Sequence, residues 1–249
     1  MKKRICILGD SPLVEEFAAL CLNKGYTVQA RLNASGAVGV RLPKGVKKIL
    51  RPTKANDFAL ELTNIERERK KKNLIELDKA LPSKTPIFSS SVTFRGGEQA
   101  TWISHPDRLM GLGALPTLIE GSLVEFAPTQ FSDVSVRDAA GRFAQSLGKE
   151  SEFVQDSVGL VMPRILCMLV NEACFAMGEG VAVPRDIDTA MKLGTNYPHG
   201  PLEWAARIGP RHVAAVVSAL HIGFGEERYR VAPMLQNAAL VNAFRENRV

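Results

Sequence analysis

The sequence predicts an α/β domain over residues 1–156, followed by an all-helical domain over residues 157–249. Two observations lead to this fold class. In the first part of the chain, short apolar runs of strand length alternate with longer segments of helical periodicity, which is the pattern of a mostly parallel sheet covered by helices. From residue 159 onward the strand-length runs stop, and apolar residues recur at helical spacing.

The elements of the first part alternate as strand, helix, strand and again strand, helix, strand. The predicted ranges are residues 3–8, 12–24, 27–30, 58–62, 66–77 and 85–89. The opening strand–helix–strand unit is typical of a Rossmann-like dinucleotide-binding fold. The chain between residues 33 and 56 is short, and we expect only a tight turn beginning at residues 34–36 and one or two small strands there.

A dinucleotide-binding turn needs the spacing G-x-G-x-x-G, and the corresponding positions here are Gly9, Ser11 and Val14. Ser11 places a side chain where the pyrophosphate would come closest, and the following Pro12 lacks a backbone N–H. Arg31 follows the second strand, where a carboxylate would bind the ribose hydroxyls. Because arginine at this point sometimes accommodates a 2′-phosphate, a preference for NADP stays open. Gly9, Ser11 and Arg31 are the candidate cofactor residues, and we expect weak or absent dinucleotide binding.

The second part begins with a long apolar helix over residues 160–177, which Gly178 ends. A shorter helix from Pro184 ends at Gly194, a rigid proline-rich turn covers residues 196–201, and a third helix follows. A helix that is apolar on most sides is buried, either in its own domain or against a second subunit.

This passage resembles the C-terminal domain of the L-3-hydroxyacyl-CoA dehydrogenase family. The matching stretches are Asn171-Glu172-Ala173, Glu179-Gly180-Val181-Ala182, Asp186-Ile187-Asp188-Thr189-Ala190-Met191-Lys192-Leu193-Gly194 and Pro198 with Gly200-Pro201. The resemblance implies an all-helical domain that forms the dimer interface and closes one side of the active-site cleft. It also implies an NAD- or NADP-dependent oxidoreductase of fatty acid metabolism. By this resemblance the chain is expected to be a divergent and shortened member, without room for the family's helical excursion after the second strand and without the glycine-rich aromatic tail that relatives often have.

The resemblance also assigns the catalytic positions. In the family a histidine, oriented by a glutamate, accepts the hydroxyl proton, and a serine and an asparagine hold the substrate. The segment from residue 108 to residue 126 matches without gaps, which puts Gly113 at the histidine position and Glu125 at the glutamate position. Val92 stands for the serine and Pro163 for the asparagine. We therefore expect lost or strongly impaired dehydrogenase activity, and a binding or interaction role with an acyl-CoA-like ligand.

The alternative is an active NAD(P)-dependent oxidoreductase with a rearranged site. Its candidate base is His199, which lies in the rigid turn where relatives close over the substrate. His105, in a His-Pro-Asp loop, is better explained as a surface or capping residue. His212 and His221 fall in the late helices, away from the cleft.

Composition narrows the function classes further. The net charge of +6 indicates either an anionic ligand or a solvated face. The basic run at residues 67–72 contains no aromatic residues, so it lacks a base-stacking platform and is interpreted as the exposed side of a helix rather than a nucleic-acid site.

No apolar run is long enough to span a bilayer, and no signal peptide follows Met1. The four cysteines show no metal-binding spacing, which favours reduced thiols in the cytoplasm and no metal site. The apolar helices at residues 160–177 and 213–220 predict a homodimer that forms through the C-terminal helices.

Overall fold

The computed structural model describes residues 3–33 and 40–246. The tight turn predicted at residues 34–36 lies outside the described residues. Within them, no helix is long and apolar enough to cross a membrane.

A sheet of eight strands forms the centre of the first part of the described chain. In chain order its strands are β1 (Arg4–Gly9), β2 (Thr27–Leu32), β3 (Lys47–Lys48), β4 (Phe58–Leu62), β5 (Ile87–Ser90), β6 (Leu109–Leu112), β7 (Leu123–Pro128) and β8 (Glu150–Phe153). Their order across the sheet is β3-β2-β1-β4-β5-β6-β7-β8. Neighbouring strands are parallel except for β6 and β7, which are antiparallel. The carboxyl ends of β1, β2, β4, β5 and β6 therefore lie along one edge.

Helices connect the strands and then form the second part of the chain. Those between strands are α1 (Leu13–Asn23), α2 (Arg67–Ala80), α3 (Gly96–Ala100) and α4 (Val134–Ser146), and those that follow are α5 (Met162–Gly178), α6 (Pro184–Thr195), α7 (Pro201–Ile208), α8 (Pro210–Phe224) and α9 (Pro233–Glu246). This architecture confirms the predicted fold class. Helices α3 and α4 and strand β8 were not predicted, although Val136, Ala140 and Phe143 carry the helical spacing of α4.

Most element boundaries differ from the predictions by a few residues. The strand predicted at residues 58–62 matches β4 fully. The charged helix predicted at residues 66–77 begins at Arg67 and continues to Ala80. The helix predicted to end at Gly194 includes Thr195, because Asn196 adopts the left-handed conformation that ends it.

Among the described residues, buried apolar side chains form three clusters. The apolar residues of β1 alternate between two of them: Ile5 and Ile7 pack on the α1 and α4 side, and Cys6 and Leu8 pack on the α2 side. Burial on both faces explains why this strand is a continuous apolar run. The third cluster lies among the C-terminal helices and includes Val92 from the loop after β5. The two parts of the chain thus share buried apolar contacts beside the carboxyl edge of the sheet.

Candidate functional site

Strand β1 ends in a glycine that the backbone requires. Gly9 has a φ of +152°, and a Cβ placed on it would lie 2.6 Å from the carbonyl carbon of Leu62 in the neighbouring strand. A side chain at this position would therefore clash with main-chain atoms and adopt an unfavourable conformation.

The N-terminus of α1 holds a carboxylate from its own first turn. Ser11 Oγ donates a hydrogen bond of 2.6 Å to Glu15 Oε1. The backbone N–H of Glu15 also lies close enough to its carboxylate to lower the pKa of that group, although burial has the larger effect and raises the pKa overall. Exposed N–H groups at a helix N-terminus are the ordinary binding site for a phosphate. Here that place is occupied by a negatively charged side chain of the protein.

A second acid next to this loop is also held internally. Asp10 is buried and accepts hydrogen bonds from Asn33 Nδ2 at 2.6 Å and from the backbone N–H of Asn64 at 3.1 Å. Burial raises the pKa of Asp10 above its usual value, against the effect of these bonds. Asn33 also donates to Thr63 Oγ1 at 2.9 Å. The end of β2 is thereby tied to the ends of β1 and β4.

Arg31 lies against α2 and is engaged there. Its guanidinium donates to both carboxylate oxygens of Glu76, at 3.0 and 2.8 Å, to Asn73 Oδ1 at 2.9 Å and to the carbonyl of Leu50 at 2.7 Å. A ligand phosphate would have to compete with this bidentate ion pair.

The basic run that opens α2 is not wholly exposed, which corrects the interpretation made from the sequence. The side chains of Lys70 and Glu61 are fully buried, with Lys70 Nζ 2.5 Å from Glu61 Oε2. Lys70 also donates to the carbonyl of Thr63 at 2.9 Å. Burial lowers the pKa of Lys70, and the charge of Glu61 opposes that effect. A glutamate inside an otherwise apolar strand was the sequence signal for such a partner, because a buried charge must be paired.

The antiparallel pair β6 and β7 brings Gly113 opposite Glu125. The backbone N–H of Gly113 donates to the carbonyl of Glu125 at 2.9 Å. A Cβ on Gly113 would lie 3.1 Å from the Cβ of Glu125 and 3.4 Å from its Oε2. A side chain at position 113 would therefore point directly at the carboxylate.

That carboxylate binds the start of α5. Glu125 is buried, its Oε1 accepts a hydrogen bond of 2.7 Å from the backbone N–H of Met162, and its Oε2 accepts one of 3.1 Å from that of Val161. Pro163 follows inside the first turn, where a missing N–H costs nothing. Glu125 thus satisfies two free N–H groups of the helix and places its charge at the positive end of the helix dipole.

Position 92, which the resemblance matches to the family's substrate-binding serine, carries an apolar side chain. Val92 is fully buried and packs in the cluster that contains Leu166 and Leu220 from the C-terminal helices. Its carbonyl accepts a hydrogen bond of 3.0 Å from the backbone N–H of Gly159. The side chains of Val92 and Pro163 have no group that can donate to a substrate oxygen.

Comparison with known proteins identifies the family. The family model for the 3-hydroxyacyl-CoA dehydrogenase C-terminal domain matches residues 159–248. The chain is 37% identical over 123 residues to the 3-hydroxyadipyl-CoA dehydrogenase of Escherichia coli K12, covering 49% of this chain and 26% of that protein. It is 32% identical over 160 residues to a probable 3-hydroxybutyryl-CoA dehydrogenase of Bacillus subtilis, covering 64% and 56%.

The crystal structure of the (S)-3-hydroxybutyryl-CoA dehydrogenase PaaH1 from Ralstonia eutropha superposes with a TM-score of 0.79 at 25% identity, over 97% of this chain and 94% of that one. The chain belongs to the 3-hydroxyacyl-CoA dehydrogenase family. It spans about a quarter and about half of the length of the two curated relatives named above.

His199, the residue that could replace the missing histidine as the base, lies in the turn just before α7. Its Nδ1 is 3.7 Å from Glu203 Oε2, and its ring meets the edge of Trp204 with centroids 4.8 Å apart. Both partners lie in α7, the helix that follows the turn, and among the described contacts His199 makes none with Gly113 or Glu125. The structure therefore does not bring His199 into contact with Gly113 or Glu125, the positions matched to the family's catalytic histidine and glutamate.

The other histidines have separate surroundings. His105 Nδ1 is 3.1 Å from Asp78 Oδ1, and Arg108 binds the same oxygen at 2.7 Å. His212 is buried in α8, and His221 is half-buried near the end of that helix. In the part of the chain that the structure describes, no group of histidines, cysteines and acids has the arrangement of a metal site.

Proposed function

We propose that this member of the 3-hydroxyacyl-CoA dehydrogenase family has lost hydride-transfer activity and acts as a binding protein for an acyl-CoA-type ligand. One observation carries the proposal. Gly113 occupies the position that faces Glu125, and both oxygens of that carboxylate already accept backbone hydrogen bonds from α5.

Oxidation of a 3-hydroxyl group needs a base that accepts the hydroxyl proton while hydride leaves to a nicotinamide. Gly113 has no side chain to accept a proton, and loss of a general base alone costs about 10²- to 10⁴-fold in rate. Val92 and Pro163 hold no substrate oxygen, so the positioning contribution is absent as well. The expected turnover is close to background.

The dinucleotide loop supports the same proposal. A pyrophosphate at the N-terminus of α1 would displace the Glu15 carboxylate from Ser11 or lie next to it, and like charges at short distance repel. Arg31, the arginine at the end of β2, is engaged by Glu76, and a 2′-phosphate of NADP would have to compete with that ion pair. Weak or absent binding of NAD and NADP is therefore expected.

The retained features favour a thioester ligand. The relatives named above are dehydrogenases of hydroxyacyl-CoA substrates. This chain keeps the sheet, the helical part and the apolar contacts between them, and its net charge of +6 suits an anionic ligand.

A homodimer through the C-terminal helices forms part of the proposal. Several large apolar side chains of this region are more than two-fifths exposed, among them Val161, Met162, Ile165, Leu193 and Leu240. A second copy would cover them and remove apolar surface from water. Sedimentation as a stable monomer at micromolar concentration would contradict this assembly. The four cysteines are free and buried, which is consistent with the proposed cytoplasmic location.

The test is NADH- and NADPH-linked reduction of acetoacetyl-CoA by rigorously purified protein, together with thermal-shift screening of NAD, NADP, CoA and acyl-CoAs. We expect stabilisation by the CoA compounds and no detectable turnover. Gly113→His alone should not restore turnover, because the substrate stays unheld. Robust turnover by the unmodified protein would refute the proposal. Its loss in His199→Ala would then identify the base.

A further inference from the structure

We infer that a basic groove beside α2 binds the phosphorylated adenosine end of a coenzyme A thioester. The groove has a volume of about 810 Å³ and lies between α2 and the ends of β2 and β3. The inference rests on the proposed function and goes beyond it, because it places the anionic end of the ligand away from the Gly113–Glu125 position. The groove is defined here by its five cations, Arg51, Arg69, Lys71, Lys72 and Lys79.

The groove lies next to a short crossover. β2 and β3 are parallel, and a parallel pair is normally joined by a crossover helix that covers the sheet. Residues 40–46, the described part of this connection, contain no helix.

The charges that line the groove are mostly uncompensated. Arg31 and Glu76 also line it, and they neutralise each other in their ion pair. Glu68 is the other acid of the lining, and its carboxylate is 3.8 Å from Arg67. The five cations form no ion pair with any residue in the described parts of the chain. A multiply charged anion is therefore the matching ligand.

The spacing of the cations suits an elongated anion. Arg69, Lys72 and Lys79 follow one face of α2, and the ten helical rises from Arg69 to Lys79 span about 15 Å. Leu50, whose side chain is 85% exposed, and Ile75 add apolar surface in the same groove. An adenine ring lying on these residues would cover apolar surface, while its phosphates reach the cations.

The charge distribution along the carboxyl edge selects CoA over a dinucleotide. A dinucleotide places its pyrophosphate in the middle of the edge, at the N-terminus of α1, where the Glu15 carboxylate lies. CoA carries its diphosphate and its 3′-phosphate at one end, and its pantetheine arm is uncharged. From β2 to β6 are four strand spacings, or about 19 Å. An uncharged arm can cross that distance past Glu15 without electrostatic repulsion.

The test measures dissociation constants of CoA, dephospho-CoA and NADP by calorimetry at two salt concentrations. The variant is Arg69→Glu/Lys72→Glu, and its matched control is Lys47→Glu/Lys48→Glu, which makes the same charge change at exposed lysines of β3 outside the groove. We expect CoA to bind about tenfold or more tightly than dephospho-CoA, since a charge-assisted contact to the 3′-phosphate is lost. The preference should vanish in the groove variant, persist in the control and weaken as salt is raised.

Equal affinity for CoA and dephospho-CoA in the unmodified protein would overturn the inference. Unchanged CoA binding by the groove variant would also overturn it, and so would tighter binding of NADP than of CoA. Adenosine 3′,5′-bisphosphate separates this inference from the proposed function. If it binds in a groove-dependent way and acetoacetyl-CoA binds no more tightly, the groove assignment stands and the acyl-CoA function fails. If acetoacetyl-CoA binds tightly to both the native protein and the groove variant, the function stands and the groove assignment fails.

Discussion

Replacement of Glu125 by alanine should destabilise the fold, because this carboxylate holds the first turn of α5. In the native protein it accepts two backbone hydrogen bonds, of 2.7 and 3.1 Å, and it is 6% exposed. A residue retained only for catalysis would contribute little to stability. A residue that connects the sheet to a helix N-terminus contributes through charge-assisted hydrogen bonds and the helix dipole.

The magnitude follows from these contacts. A hydrogen bond to a charged group contributes about 1.5–3 kcal/mol, and the charge at a helix N-terminus adds about 0.3–1 kcal/mol. Val161 and Met162 are 45% and 44% exposed, so their freed N–H groups regain some water. We expect a net loss of about 3 kcal/mol, which lowers Tm by roughly 6–12 °C in a chain of this size. Glu125→Gln keeps one acceptor oxygen and should lose about half as much.

Urea and thermal unfolding measure this loss. A urea m-value equal to that of the native protein would show that the substitution changes stability and not the amount of surface exposed on unfolding. Glu68→Ala is the matched control, since that glutamate is exposed and its carboxylate lies 3.8 Å from Arg67. The control should change stability by less than about 0.5 kcal/mol. If Glu125→Ala unfolded at the native midpoint, the carboxylate would not be holding α5.

Three further predictions concern the loop after β1 and its helix. Burial raises the pKa of Glu16 to about 7 from 4.5, so the unfolded state releases this proton at lower pH and stability falls as pH rises from about 4.5 to 7. Glu16→Gln should therefore raise the free energy of unfolding at pH 8 by about 1 kcal/mol, after allowance for partial exposure, with little effect at pH 4. Gly9→Ala should cost at least about 2 kcal/mol in unfolding free energy, since its Cβ would meet Leu62 at 2.6 Å in an unfavourable conformation. Ser11→Gly/Glu15→Gln should strengthen NAD binding measured by calorimetry, because it empties the helix N-terminus of its internal anion.

Each of these predictions has a contrary outcome. An equal effect of Glu16→Gln at both pH values would show that its carboxylate titrates normally in the fold. Native stability of Gly9→Ala would mean that the loop shifts freely away from β4. Unchanged NAD affinity in Ser11→Gly/Glu15→Gln would show that the carboxylate is not what excludes the dinucleotide.

The local pattern of the sequence is sufficient for the fold class and for most elements. Apolar periodicity and turn-forming residues act over a few positions, so β4 is predicted in full, and α1 and α6 within one or two residues. Positions 113 and 125, which the gapless match between residues 108 and 126 singled out, lie opposite each other, because the two strands are close in sequence and their register is set by the loop between them.

The partners of the charged residues were decided only by the tertiary structure. Arg31 meets Glu76 across 45 positions of sequence, and Glu125 meets Val161 across 36. Neither local propensity nor spacing specifies such pairs, since each depends on how one segment packs on another. The burial of Lys70 shows the same limit, because its helix is basic in sequence while the strand beneath it supplies the compensating acid.

The sequence by itself thus determined the architecture and the absence of a side chain at Gly113, both of which are properties of the chain's own order. The tertiary structure decided where the charges go: Glu125 to the start of α5, Glu15 to the start of α1, and cations of α2 to the groove beside that helix. The physical reason is that an apolar pattern specifies which face of an element is buried, whereas the energy of a charge depends on the partners and the solvent that the completed fold leaves to it.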